Sequence, residues 1–550
     1  MALNYEGYAA GSDATDNGMS TYSDRLLKRG YALLGVSVRG TGCSQGVFDP
    51  FAPTMGQDGA DAVEWAARQP WSNGRVGMIG VSFGGITQLL TAANRPKHLL
   101  AITPDSSTSD LYRDVTYPGG ILEYDFTFAW TGDQKEGGYQ YATTGAVADG
   151  DLECEKNFAQ HEALNAQPQY FIPTLILQNP YTDSSNHKWD KRAPNAGFKR
   201  INVPTYLFNQ WQDEQLPARI YDSLGMFGAP KKVWANFTNG NHGRALYNDH
   251  DQALILAFLD HFVRGVKNGI QKQAHLSIDY ETAIDRKGKQ NEPAWSIKRR
   301  GLNADPDAMA WYLRSGGELS RSAPRTATGA DSYDYPRPAP DVTEPGPAAS
   351  FASLGGKSAG QLTWKGPVPP GGSLAYTTPK LRRDLVVAGP ASVDLWLKST
   401  ATDTDLEATV TEVRPDGQET YVQRGWLRAS LRKLDPKRTT TLLPFHTDRS
   451  THAAPLVPGR ATKLRLEVFP FAHAFRKGSR LRIWIEAPTG HTGFWAFTPV
   501  PNNAVNTVLR DRKHPSRLVL GALGDERARV PLPPCDFLRN QPCRADPLAH

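Results

Sequence analysis

The chain has 550 residues, enough for about three domain-sized units. Its 39% apolar and 21% charged composition is that of a globular protein able to bury a core. A net charge of +6 with no long basic run gives no electrostatic case for nucleic acid as a partner. No run of about 18 apolar residues predicts a membrane-spanning helix, and Met1 to Glu6 has neither the basic nor the apolar region of a signal peptide.

In chain order, Ser23 to Lys28 reads as a helix ended by Gly30, and Tyr31 to Val38 as a buried strand. Asp58 to Arg68 carries Val63, Ala66 and Ala67 on one face, the spacing of an amphipathic helix. Val76 to Val81 predicts a second buried strand, Ile86 to Ala93 a helix closed by Pro96, and Leu99 to Thr103 a third strand. Such alternation argues for a mostly parallel sheet with helices on both faces. An aromatic-, Gly- and polar-rich stretch then interrupts the rhythm and reads as a cap over a site. The rhythm resumes with strands at Thr205 to Asn209 and Lys232 to Phe237, then a helix with Leu254, Phe258 and Phe262 in register. Further on, Leu464, Leu466 and Val468, and Leu481, Ile483 and Ile485, alternate with polar residues as half-buried antiparallel strands do. Residues 323–350, rich in Pro, Ala and Ser, read as a long loop. The expected division is an α/β catalytic domain over 1–107 and 199–273, a cap insertion over 108–198, and a C-terminal β-sandwich over 274–545.

Of the four cysteines, Cys535 and Cys543 lie close enough in sequence for a small disulfide-closed loop, which would imply an oxidising compartment. Two free thiols are the alternative. Nothing nearby supplies the further ligands that zinc would need.

Gly-x-Ser-x-Gly marks a nucleophile elbow, but it occurs three times here, around Ser44, Ser82 and Ser358. Context separates them, because the elbow needs a strand ending at the serine and a helix starting after it. Only Ser82 meets both conditions. Ser44 runs into a proline-containing segment and reads as a Gly-rich turn, and Ser358 sits in a Gly/Ser loop. A serine hydroxyl needs a base, and the base needs an acid to orient it. Asp213 and His242 follow the strands Thr205–Asn209 and Lys232–Phe237, in the Ser–Asp–His chain order of α/β-hydrolases. Glu214 is the fallback acid, and His261 reads as a packing residue. The backbone N–H of Phe83 is the generic first oxyanion donor.

These residues belong to a longer string: Val38-Arg-Gly-Thr-Gly-Cys-Ser-Gln-Gly46, Glu64-Trp-Ala-Ala-Arg-Gln-Pro-Trp71, Gly74-Arg-Val-Gly-Met-Ile-Gly-Val-Ser82, Trp211-Gln-Asp213, Gly425-Trp-Leu-Arg-Ala429 and His514-Pro-Ser-Arg-Leu518. In this the chain resembles the cocaine-esterase/X-Pro dipeptidyl-peptidase (S15) serine hydrolases of CocE/NonD type. The resemblance implies an α/β-hydrolase domain with a helical cap and a C-terminal jelly roll of galactose-binding-like type. It also implies Ser82, Asp213 and His242 as the triad and a tyrosine as second oxyanion donor, with the register favouring Tyr8 over Tyr5. The family carries strands before this tyrosine loop, whereas this chain starts almost on it. That departure raises an upstream start with a signal peptide, so secretion and compartment stay open.

The expectation is hydrolysis of an ester or amide acyl bond through an acyl-Ser82 intermediate, without metal or organic cofactor. The partner is a small-molecule ester or a short peptide, neither nucleic acid nor membrane, and a homo-oligomer is left open. A peptidase would need acidic groups for the substrate amine, for which Glu123 and Asp125 are candidates, a surface role being the alternative. The competing class of reading is an inactive hydrolase relic that acts as a binding protein.

Overall fold

The computed structural model describes the chain except at 9–19, 129, 132–144, 168, 171, 185–188, 244–247, 284–291, 337–370, 489–494 and 550. Ser358 therefore lies outside the described residues.

An eight-stranded sheet runs in the order β2-β1-β3-β4-β5-β6-β7-β8. Its members are β1 (Ala2–Glu6), β2 (Leu33–Ser37), β3 (Val76–Val81), β4 (Leu99–Asp105), β5 (Thr205–Gln210), β6 (Val233–Thr238), β7 (Leu276–Tyr280) and β8 (Trp295–Arg299). All neighbouring pairs are parallel except β7 with β8. Successive side chains of one strand enter different cores, as the two-residue period of a strand requires. Met78, Ile102 and Leu207 face a core shared with α2 (Pro53–Ala67) and α3 (Phe83–Ala93). Ile79, Ala101 and Phe208 face another, closed by Leu26 of α1 (Ser20–Leu27) and by Ile255 and Phe258 of a later helix, Asp249–Leu259.

The N-terminal residues are not only a loop. β1 lies between β2 and β3, with Tyr5 buried in the core, and the Met1 ammonium donates to the Arg75 carbonyl at 2.9 Å. At the other end, β7 and β8 still extend the catalytic sheet beyond residue 273, where the sequence changes texture.

The C-terminal part is two antiparallel sheets. One is centred on β13 (Leu385–Ser399), which pairs with β16 (Thr462–Phe475), β18 (Ala504–Leu509) and β19 (Arg517–Ala522); β9 (Asp307–Leu313) and β10 (Leu319–Ser320) continue it beyond β19, and β11 (Ala330–Tyr335), a strand within the stretch expected to be a loop, pairs with β18. The other runs β12-β17-β14-β15-β20, from β12 (Ser373–Thr377) through β17 (Arg480–Glu486), β14 (Asp405–Val413) and β15 (Gln418–Arg428) to β20 (Cys543–Ala545). They pack face to face so closely that a Cβ on Gly425 of β15 would stand 1.8 Å from the Glu467 carbonyl oxygen of β16.

Between β4 and β5 the chain forms the cap. Its helix α4 (Leu152–Asn165) opens on Asp151, whose carboxylate accepts the Cys154 N–H. The helix is fastened to the loop after β2 by a Cys43–Cys154 disulfide, a pairing across 111 residues that cysteine spacing alone does not predict. Gln45 Nε2 donates to Asn157 Oδ1 at 3.0 Å, and Asn165 accepts the Phe48 N–H at 2.9 Å and donates to the Gly40 carbonyl at 3.0 Å. Cys535 and Cys543 form the second bridge. Ser44 is a turn residue, its Oγ donating to the Ser37 carbonyl at 2.8 Å.

Candidate active site

Ser82 is the junction of β3 and α3. Its φ of 59° is strained for a residue with a Cβ, and it turns the chain sharply enough to present the side chain above the strand ends. The flanking glycines are needed for contact as much as for conformation. A Cβ on Gly80 would lie 2.6 Å from Asn4 Oδ1 on β1, and one on Gly85 2.5 Å from the Asp105 carbonyl of β4. Phe83 opens α3, so its N–H is among the first-turn amides that no helical carbonyl can reach.

Asp213 follows β5 and His242 follows β6, and both are buried. His242 Nδ1 lies 2.8 Å from Asp213 Oδ2 and 3.0 Å from Oδ1. Asp213 Oδ1 also accepts the N–H groups of Gln215 and Leu216, each at 2.8 Å, which fixes the carboxylate before the imidazole reaches it. Burial disfavours the imidazolium, but the Asp213 charge and hydrogen bond outweigh it and hold the His242 pKa above its ordinary value. Acting as a general base, the histidine would have to be neutral to take a proton. We therefore expect kcat/KM to fall as pH drops through a value above the usual imidazole pKa of about 6.5. A pH–rate profile checks this, and an acid limb below that value would contradict it.

Glu214 meets the histidine through its backbone. Its Oε2 accepts the backbone N–H of His242 at 3.2 Å and the Asn540 amide at 2.9 Å. Burial and the Asp213 charge push its pKa up to about 7. His261 lies on the helical turn Asp260–Arg264, where Nδ1 meets the Val266 carbonyl at 2.9 Å. Ser106 was missed by the sequence reading. Its Oγ lies 2.7 Å from Gln210 Oε1 and accepts the Gly243 N–H at 2.8 Å, while the preceding Asp105 carbonyl accepts the Ser82 N–H at 3.0 Å. The histidine loop and the elbow are thus tied to adjacent residues of one strand end. Sequence offered no signal for this, because a serine after a strand is unremarkable by itself.

Tyr8 lies just past β1 with its ring edge-on to Phe83, centroids 5.8 Å apart, and its hydroxyl accepts from Trp130 Nε1 at 2.9 Å. Tyr5 instead points into the core. The acid loop is braced from the sandwich, since Gln423 Nε2 of β15 donates to the Trp211 carbonyl at 2.8 Å and Gln212 Nε2 to the Val422 carbonyl at 2.9 Å.

A pocket opens on Ser82, lined by Phe51, Phe83 and Ile86 from the catalytic domain and by Leu111, Val115, Phe126, Trp130, Ile176 and Trp189 from the cap. Phe51 stacks on Trp130 with centroids 5.6 Å apart. The one charged residue among the described lining residues is Arg192, bound to Asp49 at 2.6 Å and to the Pro50 carbonyl at 2.9 Å. Glu123 is neither in this lining nor on the surface. It is buried, and its carboxylate accepts the N–H groups of Asp125, Phe126, Thr127 and Ala496. Burial raises its pKa to about 8 despite these donors.

A parallel sheet with an elbow serine, a buried His–Asp pair on the next strand ends and a capped pocket define a hydrolase of the α/β type. Comparison with known proteins agrees. The S15 family of X-Pro dipeptidyl-peptidases matches residues 2–244, and the X-Pro dipeptidyl-peptidase C-terminal non-catalytic domain matches 277–519. The chain is 28% identical to Mb1866c of Mycobacterium bovis, whose serine-esterase label is itself provisional, covering 90% of this chain and 84% of that one. It is 25% identical to the cocaine esterase of Rhodococcus sp. (strain MB1 Bresler), covering 90% and 88%. Among solved structures, SACOL2612, a CocE/NonD family hydrolase from Staphylococcus aureus, has a TM-score of 0.74 at 18% identity, covering 95% of this chain and 88% of that one. The chain belongs to the S15 family of serine hydrolases, the family of X-Pro dipeptidyl-peptidases and of cocaine esterase.

Proposed function

We propose that this hydrolase cleaves esters of apolar acyl groups through an acyl-Ser82 intermediate. The observation that carries the reading is the pocket over Ser82, whose described lining is mostly aromatic and aliphatic, with a few threonines, Arg192 and no acidic side chain. Taking in an X-Pro dipeptide would bring its ammonium group out of water, and that needs a carboxylate partner. Glu123 is committed to backbone donors and lies outside the lining, and Arg192 would repel an amine. An apolar acyl chain loses only water, at about 25 cal/mol per Å2 of surface removed from it.

In this reading His242 Nε2 takes the Ser82 proton as Oγ attacks the acyl carbon. The carbonyl oxygen becomes an oxyanion held by the Phe83 N–H and the Tyr8 hydroxyl. The imidazolium, steadied by Asp213, protonates the departing alkoxide and frees the alcohol. Water then attacks the acyl-enzyme, giving its proton to His242, which returns it to Ser82 as the acid leaves. Nothing in this sequence of steps calls for a cofactor.

Labelling with a fluorophosphonate, followed by mass spectrometry, tests the reading. The expected adduct is on Ser82 and is lost in His242→Ala. A nitrophenyl butyrate or benzoate should then be cleaved with kcat/KM at least about 100-fold above an X-Pro nitroanilide. Preference for the X-Pro amide would overturn the substrate assignment. A folded protein that takes no label would overturn the nucleophile.

A further inference from the structure

The end of the chain lies beyond both family matches, the second of which stops at residue 519. There the Cys535–Cys543 bridge closes a loop whose base is held by β20 pairing with β15. The bridge is half-exposed, but Leu538, Arg539, Asn540 and Gln541 within the loop are buried. These four consecutive residues touch four different parts of the molecule. Leu538 bridges to Ala283 after β7, and Arg539 Nε donates to Asn241 Oδ1 beside His242. Asn540 Nδ2 donates at 2.9 Å both to the Gln212 carbonyl and to Glu214 Oε2. Gln541 Nε2 donates to the Tyr421 carbonyl of β15 at 3.3 Å.

The same Glu214 oxygen accepts the His242 backbone N–H. Asn540 is therefore two hydrogen bonds from the backbone of the histidine, and it grips the acid loop on either side of Asp213. Its φ of 54° lies in the left-handed region, which asparagine tolerates better than most residues. Loop closure by the bridge and the αL asparagine together deliver one amide to a buried carboxylate.

We propose that the Cys535–Cys543 loop is a positioning element for the acid and histidine loops, and that Asn540 is the residue through which it acts. The proposal rests on His242 and Asp213 serving as base and acid. A displacement of the imidazole by about 1 Å can cost two orders of magnitude in rate without touching substrate binding. The loop should accordingly govern kcat and leave KM alone.

The test uses the full chain and a nitrophenyl ester, with thermal melting as the check on folding. Asn540→Gly keeps the left-handed backbone and removes the amide. It should lower kcat by about 10- to 100-fold with KM within about twofold of wild type. Asn540→Asp keeps shape and backbone but sets an acceptor against Glu214, and should lower kcat further. Cys535→Ser with Cys543→Ser opens the loop and should also lower kcat. A folded Asn540→Gly or double-serine variant with wild-type kcat overturns the proposal. If the wild-type protein itself neither labels nor turns over, the hydrolytic reading fails first, and the two failures are told apart by that control.

Discussion

Ser82→Ala is expected to lower kcat on an activated ester by about six orders of magnitude while leaving the melting temperature nearly unchanged. The size follows from the proposed machinery acting as a unit. Without Oγ there is nothing for His242 to deprotonate, and only the oxyanion donors and binding remain to assist water. The unchanged stability follows from the backbone, because alanine suffers at φ 59° as serine does and little else is lost. Ser82→Gly should be equally inactive yet more stable, by about 1 kcal/mol, since glycine adopts this conformation without strain. Burst kinetics and calorimetry on the two variants separate the claims. Residual turnover above about 1% in either variant would remove Ser82 from the chemistry. A glycine variant that melts below wild type would show that the turn is not strained.

Arg219→Ala should cost about 3–5 kcal/mol of stability, the range for breaking a buried ion pair from one side. Arg219 follows the acid loop, and its guanidinium makes a two-pronged contact with Glu467 of β16 at 2.7 and 2.8 Å. It also reaches Asp114 in the cap at 3.0 Å. Both carboxylates are deeply buried, and Asp222 beside them has its pKa held well above the ordinary value by burial and by the Glu467 charge. Removing the cation leaves acidic groups facing one another across three parts of the molecule. Asp114 and Asp222, already held above the ordinary carboxylate range by burial, then titrate at a still higher pH folded than unfolded, so protonation favours the folded state. The deficit should therefore be larger at pH 8 than at pH 5, as urea unfolding at both values would show. Arg219→Lys should recover little, since one ammonium cannot span both Glu467 oxygens and Asp114. A deficit under about 1 kcal/mol would mean that the junction of catalytic domain, cap and sandwich is held elsewhere.

The catalytic sheet was legible because its strands are short apolar runs between helices of clear period. Val76 to Val81 is predicted and observed with the same bounds, β5 runs one residue longer, and β6 is shifted by one residue. Asp213 and His242 could be placed because an open α/β sheet puts its working loops at strand ends, and the structure brings the two within hydrogen-bond reach. β1 was harder: five residues, two of them Asn4 and Glu6, carry too little pattern to separate a strand from a loop. Glu123 looked like surface because acidic residues usually are, and its backbone partners include Ala496, far along the chain. Ser106, Gln423 and Asn540 were invisible for the same reason. Each acts on a loop up to several hundred residues away, and neither composition nor period records such a contact.

The fastening of the cap bears on how substrate and products travel. Helix α4 is joined to the catalytic domain by a covalent bridge and by Asn157 and Asn165. The segment before it is hooked to the sandwich through Glu123 and Ala496. A cover fixed to both neighbours should resist swinging aside as one body, and movement of side chains such as Trp130 and Phe51 at the pocket wall is then the expected way to Ser82. Bulky acids would then leave slowly, and their departure, rather than bond cleavage, would set the pace of the cycle.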